Sequence, residues 1–325
     1  MAFIDRLLPA PRGGGFAQEG YWVWCGSAIR GDDGRYHLFA SRWPQSLPFF
    51  QGYLARSEVV RASADRPTGP YVFEEVVLPP RGPAFWDGTM THNPTIHRSG
   101  DTFLLFYIGS GSRDPADAYG RIRIGLATAP SVAGPWQRRD APALSPRPGR
   151  WDGSVVTNPA PCVLDDGRIL LLYRSNTPQG LRIGAALAAD WRSPFQRLSD
   201  EPVLRLAGDH YVEDPYVWHC GDHFEMLAKD WTGFTGEQGA GIHALSGDGL
   251  RWELADLPQA YSRRVRWDDG TVTEQGHLER PQLLLEDGRP THLFLATGDG
   301  PSGFEAMKRT AMTRTWSMVM PLRGG

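Results

Sequence analysis

Residues 157–190 read TNPAPCVLDDGRILLLYRSNTPQGLRIGAALAAD, and three strands are legible in them. A short opening, TNPAPCVL, runs into Asp165-Asp166-Gly167, residues that tolerate the positive φ of a tight hairpin turn. RILLLYRS returns, LRIGAALAAD follows, and SPFQRL (193–198) starts a fourth run after another turn.

Working outward, the same order recurs four more times. Openings stand at CGSAI (25–29), HNPTI (92–96), EDPYV (213–217) and ERPQL (279–283). Taking Cys25, Asn93, Asn158, Asp214 and Arg280 as equivalent, the steps are 68, 65, 56 and 66 residues. Second runs are GDDGRYHLFAS (31–41), SGDTFLLFYIG (99–109), CGDHFEMLAKD (220–230) and EDGRPTHLFLATG (286–298). Third runs follow at EVVRASAD (58–65), IRIGLATAP (122–130) and AGIHALSGD (240–248), and fourth runs at GPYVFEE (69–75), GPWQRR (134–139) and GLRWELA (249–255). Four strand types in fixed order, repeated five times, are the grammar of a propeller. The sequence therefore predicts an all-β, five-bladed β-propeller, four antiparallel strands per blade, spanning 1–325 as one domain. The fifth unit is the least regular: 305–322 reads as helix or strands, and part of 1–22 is expected to pair there and close the ring.

Composition narrows the function. Hydrophobic residues make up 41% and charged residues 22%, as in a soluble domain with a sizeable core. The net charge of −3 and the lack of a basic patch argue against a nucleic-acid groove or an anionic membrane surface. Twelve Trp, ten Tyr and fourteen Phe suit pleated, half-buried surfaces, and a few can stack on the C–H face of a sugar. Cys25, Cys162 and Cys220 are odd in number and far apart, which gives neither a disulfide framework nor a zinc signature. The N-terminus lacks the apolar core of a signal peptide, and no apolar run is long enough to span a bilayer, so a cytoplasmic protein is expected.

First strands of propeller blades line the central channel, so their openings converge on one mouth. That brings together Trp24, Cys25, His92, Asn93, Asn158, Glu213, Asp214, Glu279 and Arg280, with Trp86-Asp87, Trp151-Asp152, His210, Tyr211, Glu274 and His277 in the loops just before. WDG occurs at 86–88 and 151–153, with a WDDG variant at 267–270; Asp in such a turn either accepts backbone N–H bonds or serves chemistry. Asp214 is the sole acid among the five equivalent openers, and strand alternation would turn its neighbour Glu213 to the other side. In TEQGHLERPQLL (273–284), His277, Glu279 and Arg280 can supply a proton donor and a guanidinium that tunes it or grips a substrate oxygen. Arg42 and Arg174, ending second strands, are placed to contact hydroxyls or a carboxylate. No P-loop, dinucleotide fingerprint, GxSxG or HExxH is present.

The openings, above all EDP (213–215) and ERP (279–281), resemble those of the five-bladed propeller glycoside hydrolases of families 43 and 117, from about residue 20 onward. That resemblance implies cleavage of a glycosidic bond in an oligosaccharide, exo-acting and inverting, as in carbohydrate metabolism and polysaccharide degradation. By the same likeness Asp214 is the tuning acid and His277 or Glu279 the proton donor. Where family 43 opens blade one with a catalytic Asp, this chain has Trp24-Cys25-Gly26-Ser27, so Asp87 becomes the expected base. The remaining named residues, Trp24, Arg42, Trp86, His92, Asn93, Trp151, Asp152, Asn158, Arg174, Glu213 and Arg280, are expected to bind substrate. No cofactor is required, although the likeness allows a calcium ion in the channel near His92 and Asn158. A glycoside phosphorylase and a non-catalytic carbohydrate-binding propeller are the alternatives. A monomer or homodimer is expected, with no nucleic-acid or membrane partner.

Overall fold

The computed structural model describes residues 1–324. Four sheets of four antiparallel strands and one of three stand in chain order around an axis. The innermost strands are Tyr21–Arg30, Met90–Ser99, Thr157–Val163, Val212–His219 and His277–Glu286. Each pairs with the next strand in sequence, so every blade is an outward-running meander. This is the five-bladed propeller that the repeat predicts.

Both readings of 305–322 hold in part: helix Phe304–Lys308 precedes strand Thr315–Pro321. The N-terminal segment supplies the outer edge of that fifth blade. Phe16 N–H donates to the Ser317 carbonyl at 2.8 Å and Leu8 N–H to the Pro321 carbonyl at 2.9 Å, while Leu7 bridges Leu322. The two ends of the chain thus share one blade, and this pairing covers that blade's outer edge. The WDDG variant serves this seam, because Arg12 lies 4.3 Å over the Trp267 ring and 2.9 Å from Asp269.

The core is divided into slabs between blades. Leu104, Phe106, Leu126, Ile169, Leu171 and Tyr173 fill the space between blades two and three. Equivalent clusters lie at the other four junctions. Second strands such as LLLY (170–173) are buried on both faces, which is why they read as unbroken apolar runs. Burying each such side chain contributes roughly 1.5–3 kcal/mol.

A sixth cluster gathers Trp22, Trp24, Trp43, Phe49 and Met307 at one end of the axis. It is roofed by inserted helices α1 (Phe49–Arg56), α2 (Pro115–Ala118) and α3 (Phe304–Lys308). No helix among the described residues is long and apolar enough to cross a membrane.

Candidate active site

Each innermost strand breaks its pleat at the same place. Cys25, Asn93, Asn158, Asp214 and Arg280 have φ of 58°, 51°, 52°, 55° and 54°, the left-handed region. The hydrogen-bond ladder shifts register beside every one of them. Asn and Asp tolerate that conformation, whereas Cys and Arg hold it at a cost of order 1–3 kcal/mol. The bulge turns all five side chains inward to form a ring on the axis. Cys25 Sγ contacts Asn93 Oδ1 at 2.7 Å, and Asn93 Nδ2 donates to Asn158 Oδ1 at 2.9 Å. Asn158 Nδ2 donates to Asp214, which also accepts the Arg280 backbone N–H at 3.0 Å.

The same bulge cancels simple alternation for the residue before. Trp24, His92, Thr157, Glu213 and Glu279, one from each blade, all line a cavity of about 240 Å³ above the ring. Its walls are aromatic: Phe49, Phe50 and Tyr53 from α1, with Tyr119, Tyr211 and Trp231. Phe304 of α3 closes the rim, its ring 5.2 Å from Phe50 and 5.9 Å from Trp231.

Three carboxylates line that space, and two buried cations hold them, Arg174 from the cavity wall and Lys229 from the neighbouring small void. Lys229 Nζ donates to Glu279 and lies 3.9 Å from Glu213 Oε2, with its ammonium 4.4 Å over the Trp231 ring. Arg174 Nη2 lies 3.3 Å from Glu213 Oε1 and donates to the Tyr119 hydroxyl at 3.1 Å. Burial, reinforced by the adjacent Asp214 charge, pushes the Glu213 carboxyl up to about 7. Burial also acts on Glu279, but Lys229 and His277 outweigh it and hold that carboxyl down to about 2. Asp214 is raised by burial, against the pull of Arg280. In mild acid, below about 7, two acids facing one cavity are thereby held in opposite protonation states, the arrangement that general acid–base chemistry needs.

The sequence matches no protein-family profile and no curated protein. Solved structures do match across nearly the whole chain. A family 117 glycoside hydrolase from the marine bacterium Zobellia galactanivorans is 15% identical, covering 98% of this chain and 89% of its own, with a TM-score of 0.66. The catalytic domain of the Coprinopsis cinerea GH62 α-L-arabinofuranosidase is 13% identical over 99% and 98%, with a TM-score of 0.67. A further glycoside hydrolase is 14% identical over 99% and 94%, with a TM-score of 0.73. This chain has the fold of the five-bladed propeller glycoside hydrolases.

Within that propeller fold the structure gathers Trp24, His92, Asn93, Asn158, Arg174, Glu213, Asp214, Glu279 and Arg280 at one cavity. It separates the WDG residues from them. Asp87 is fully buried away from the cavity, bound by Arg81 at 2.7 and 2.9 Å, the Tyr107 hydroxyl at 2.7 Å and Arg138 at 3.3 Å. Asp152 repeats the set with Arg147 at 2.9 Å, the Tyr173 hydroxyl at 2.8 Å and Arg197 at 3.1 Å. Trp86 and Trp151 stack on those tyrosines. The expectation that Asp87 activates water is corrected, as is a substrate role for Asp152, Trp86 and Trp151. These residues pin two blades.

Glu213 faces the cavity, contrary to the alternation argument, because the bulge at Asp214 intervenes. Arg42 does not reach it. Thr157 pairs with Arg174 and Glu213 with Lys229, whereas the matching partner of Trp24 is Ser41. Arg42, one residue further on, turns to the other face, where it bonds Glu58 and Gln18, both at 2.9 Å. His277 lies behind Glu279, its Nδ1 3.5 Å from Oε1, beside a small neighbouring void rather than in the main cavity. Lys229, Tyr53 and Trp231 are residues of this site that the sequence reading missed.

A channel calcium does not suit the axis. Asp214 is the one carboxylate in the ring, both its oxygens already accept bonds, and the buried Arg280 guanidinium stands 3.6 Å away. His92 Nδ1 is engaged with the Ser57 hydroxyl at 2.8 Å. A hard dication wants several oxygens and no adjacent cation.

Proposed function

We propose that this protein is a glycosidase that removes a terminal sugar from an oligosaccharide. Glu213 protonates the leaving oxygen, Glu279 activates the attacking water, and Asp214 raises the donor's pKa from behind. The observation that carries this reading is the Glu213–Lys229–Glu279 group: two carboxylates lining an aromatic-walled pocket share one ammonium that reaches them from the small void beside it.

The roles follow from the charges. A donor must hold its proton at the working pH, and Glu213, about 7, does so in mild acid; a base must be ionised, and Glu279, about 2, is. Trp24, Tyr53 and Trp231 supply flat apolar walls for the C–H face of a sugar ring. The cavity is small for a ligand site, and a ring of polar side chains closes its floor, which favours an end sugar over a chain passing through. The likeness to propeller hydrolases supports the reaction class, and inversion is the stereochemistry we assign.

A phosphorylase would need free cations for inorganic phosphate. Arg42 lies outside the cavity, the Arg280 guanidinium nitrogens are sealed from solvent, and Arg174 is committed to Glu213 and the Tyr119 hydroxyl. Hydrolysis is therefore the better reading.

The test is a screen of aryl glycosides and short oligosaccharides with the wild-type protein, Glu213→Gln and Glu279→Gln. Wild-type turnover independent of phosphate, lost in both variants on the oligosaccharides, supports the assignment. NMR of the first-formed anomer reads the stereochemistry. Binding with no turnover of any sugar by the wild-type protein would leave a carbohydrate-binding propeller instead.

A further inference from the structure

At the opposite end of the axis, the innermost strand of blade four runs into the turn Cys220-Gly221-Asp222-His223 and returns from Phe224. We propose that Cys220, His223 and Glu225 bind a divalent transition metal of the zinc class. No part of this rests on the glycosidase reading.

The donor atoms are already assembled. Cys220 Sγ, a His223 ring nitrogen and a Glu225 carboxylate oxygen all lie within 4.8 Å of one another. Cys220 Sγ is 3.0 Å from Glu225 Oε1, and His223 Nε2 is 3.6 Å from the same oxygen. A tetrahedral zinc with bonds of about 2.0–2.3 Å sets its neighbouring donors roughly 3.2–3.6 Å apart. The two contacts to Glu225 Oε1, at 3.0 and 3.6 Å, lie around that spacing, and the third falls within 4.8 Å.

Each ligand is also oriented from behind. The Asp222 carboxylate takes the His223 Nδ1–H at 2.7 Å, which leaves the Nε2 lone pair for the metal. His243 Nε2 holds the other Glu225 oxygen at 2.5 Å, and His243 itself is stacked on Trp218 at 6.1 Å and 6°. A tight turn fixes Cys220, its N–H donating to the His223 carbonyl at 2.8 Å and Gly221 adopting a φ of 73° that favours glycine. Such partners for ligating His and carboxylate groups are what a metal site needs and a plain surface ion pair does not. A thiolate, a carboxylate and a neutral imidazole balance a dication, with one position left to solvent.

Sequence reading passes over this site because Cys-x-x-His-x-Glu spans a turn and offers no second Cys or His pair. The thiol, pushed up to about 12 by burial and by Glu225, must release its proton on binding.

The experiment uses the full chain, stripped by chelator and titrated with Zn(II) in calorimetry and with Co(II) by absorption. One equivalent should bind, and Co(II) should show a thiolate charge-transfer band in the near ultraviolet. Cys220→Ser should abolish the band, His223→Ala should weaken binding on the order of 100-fold, and Asp222→Asn on the order of 10-fold. His223 is half-exposed, so its variant is expected to fold, and circular dichroism checks that. A band that survives Cys220→Ser, binding unchanged in His223→Ala, or no band in the wild-type protein overturns the proposal.

Discussion

Glu213 and Glu279, on neighbouring blades, reach the same ammonium of Lys229, yet burial and charge drive their protonation apart. Neither group would be useful alone. The pair exists because the bulges at Asp214 and Arg280 turn the preceding residue of each strand into the cavity.

Removal of either carboxylate should therefore abolish turnover by different routes. Glu213→Gln and Glu279→Gln are each expected to lower kcat/KM of the folded protein by roughly 10²–10⁴. Steady-state kinetics on a substrate with a sugar or alkyl leaving group measures this. Wild-type rates in both would remove the assignment.

The pH profile follows from the same two shifts. Below about 7 Glu213 keeps its proton, and above about 2 Glu279 is ionised, so kcat/KM should be level in mild acid and fall as pH rises through about 7. Stability carries the same sign for Glu213. Its folded pKa is raised above the value of 4.5, so its contribution is whole below 4.5 and is lost as pH rises toward about 7. Chemical denaturation of Glu213→Gln should lack that slope, a difference on the order of 1–3 kcal/mol.

Lys229 is a positioning and tuning group whose loss should be read in the acid limb. In Lys229→Met the Glu279 carboxyl loses its main cation, so the lower pKa of the rate profile should rise by a unit or more while Lys229→Arg restores it in part. A variant that merely melts earlier, with an unmoved acid limb, would make Lys229 structural.

Asp87 predicts the converse. Deleting its carboxylate leaves Arg138 and the Tyr107 hydroxyl without their buried acceptor and Arg81 with only the exposed Asp140 carboxylate, so Asp87→Ala should lose about 3–5 kcal/mol of stability. The folded fraction should retain the wild-type kcat. Loss of catalysis at full stability would return Asp87 to the chemistry.

The blades were legible because their turns carry Asp-Gly and Gly-Asp signals and their second strands are unbroken apolar runs. Even the equivalence of Cys25, Asn93, Asn158, Asp214 and Arg280 was readable, and their shared left-handed φ matches it. What alternation could not convey was the bulge itself. A left-handed Cys or Arg has no sequence signature, so Glu213 was assigned to the wrong face and Arg42 to the cavity. Lys229 sat unnoticed in LAKD (228–230 and the residue before) because its place opposite Glu213 is a matter of register. WDG misled for a physical reason: a carboxylate that accepts from two arginines and a tyrosine looks, in sequence, like one poised for catalysis.

The central claim is tested most directly with leaving groups of different acidity. Glu213→Gln should cleave an aryl glycoside with a strongly acidic phenol at near wild-type rate, because such a leaving group needs no proton, and should lose roughly 10²–10⁴ on a sugar or alkyl leaving group. Equal losses on both, or none on either, would contradict Glu213 as the proton donor.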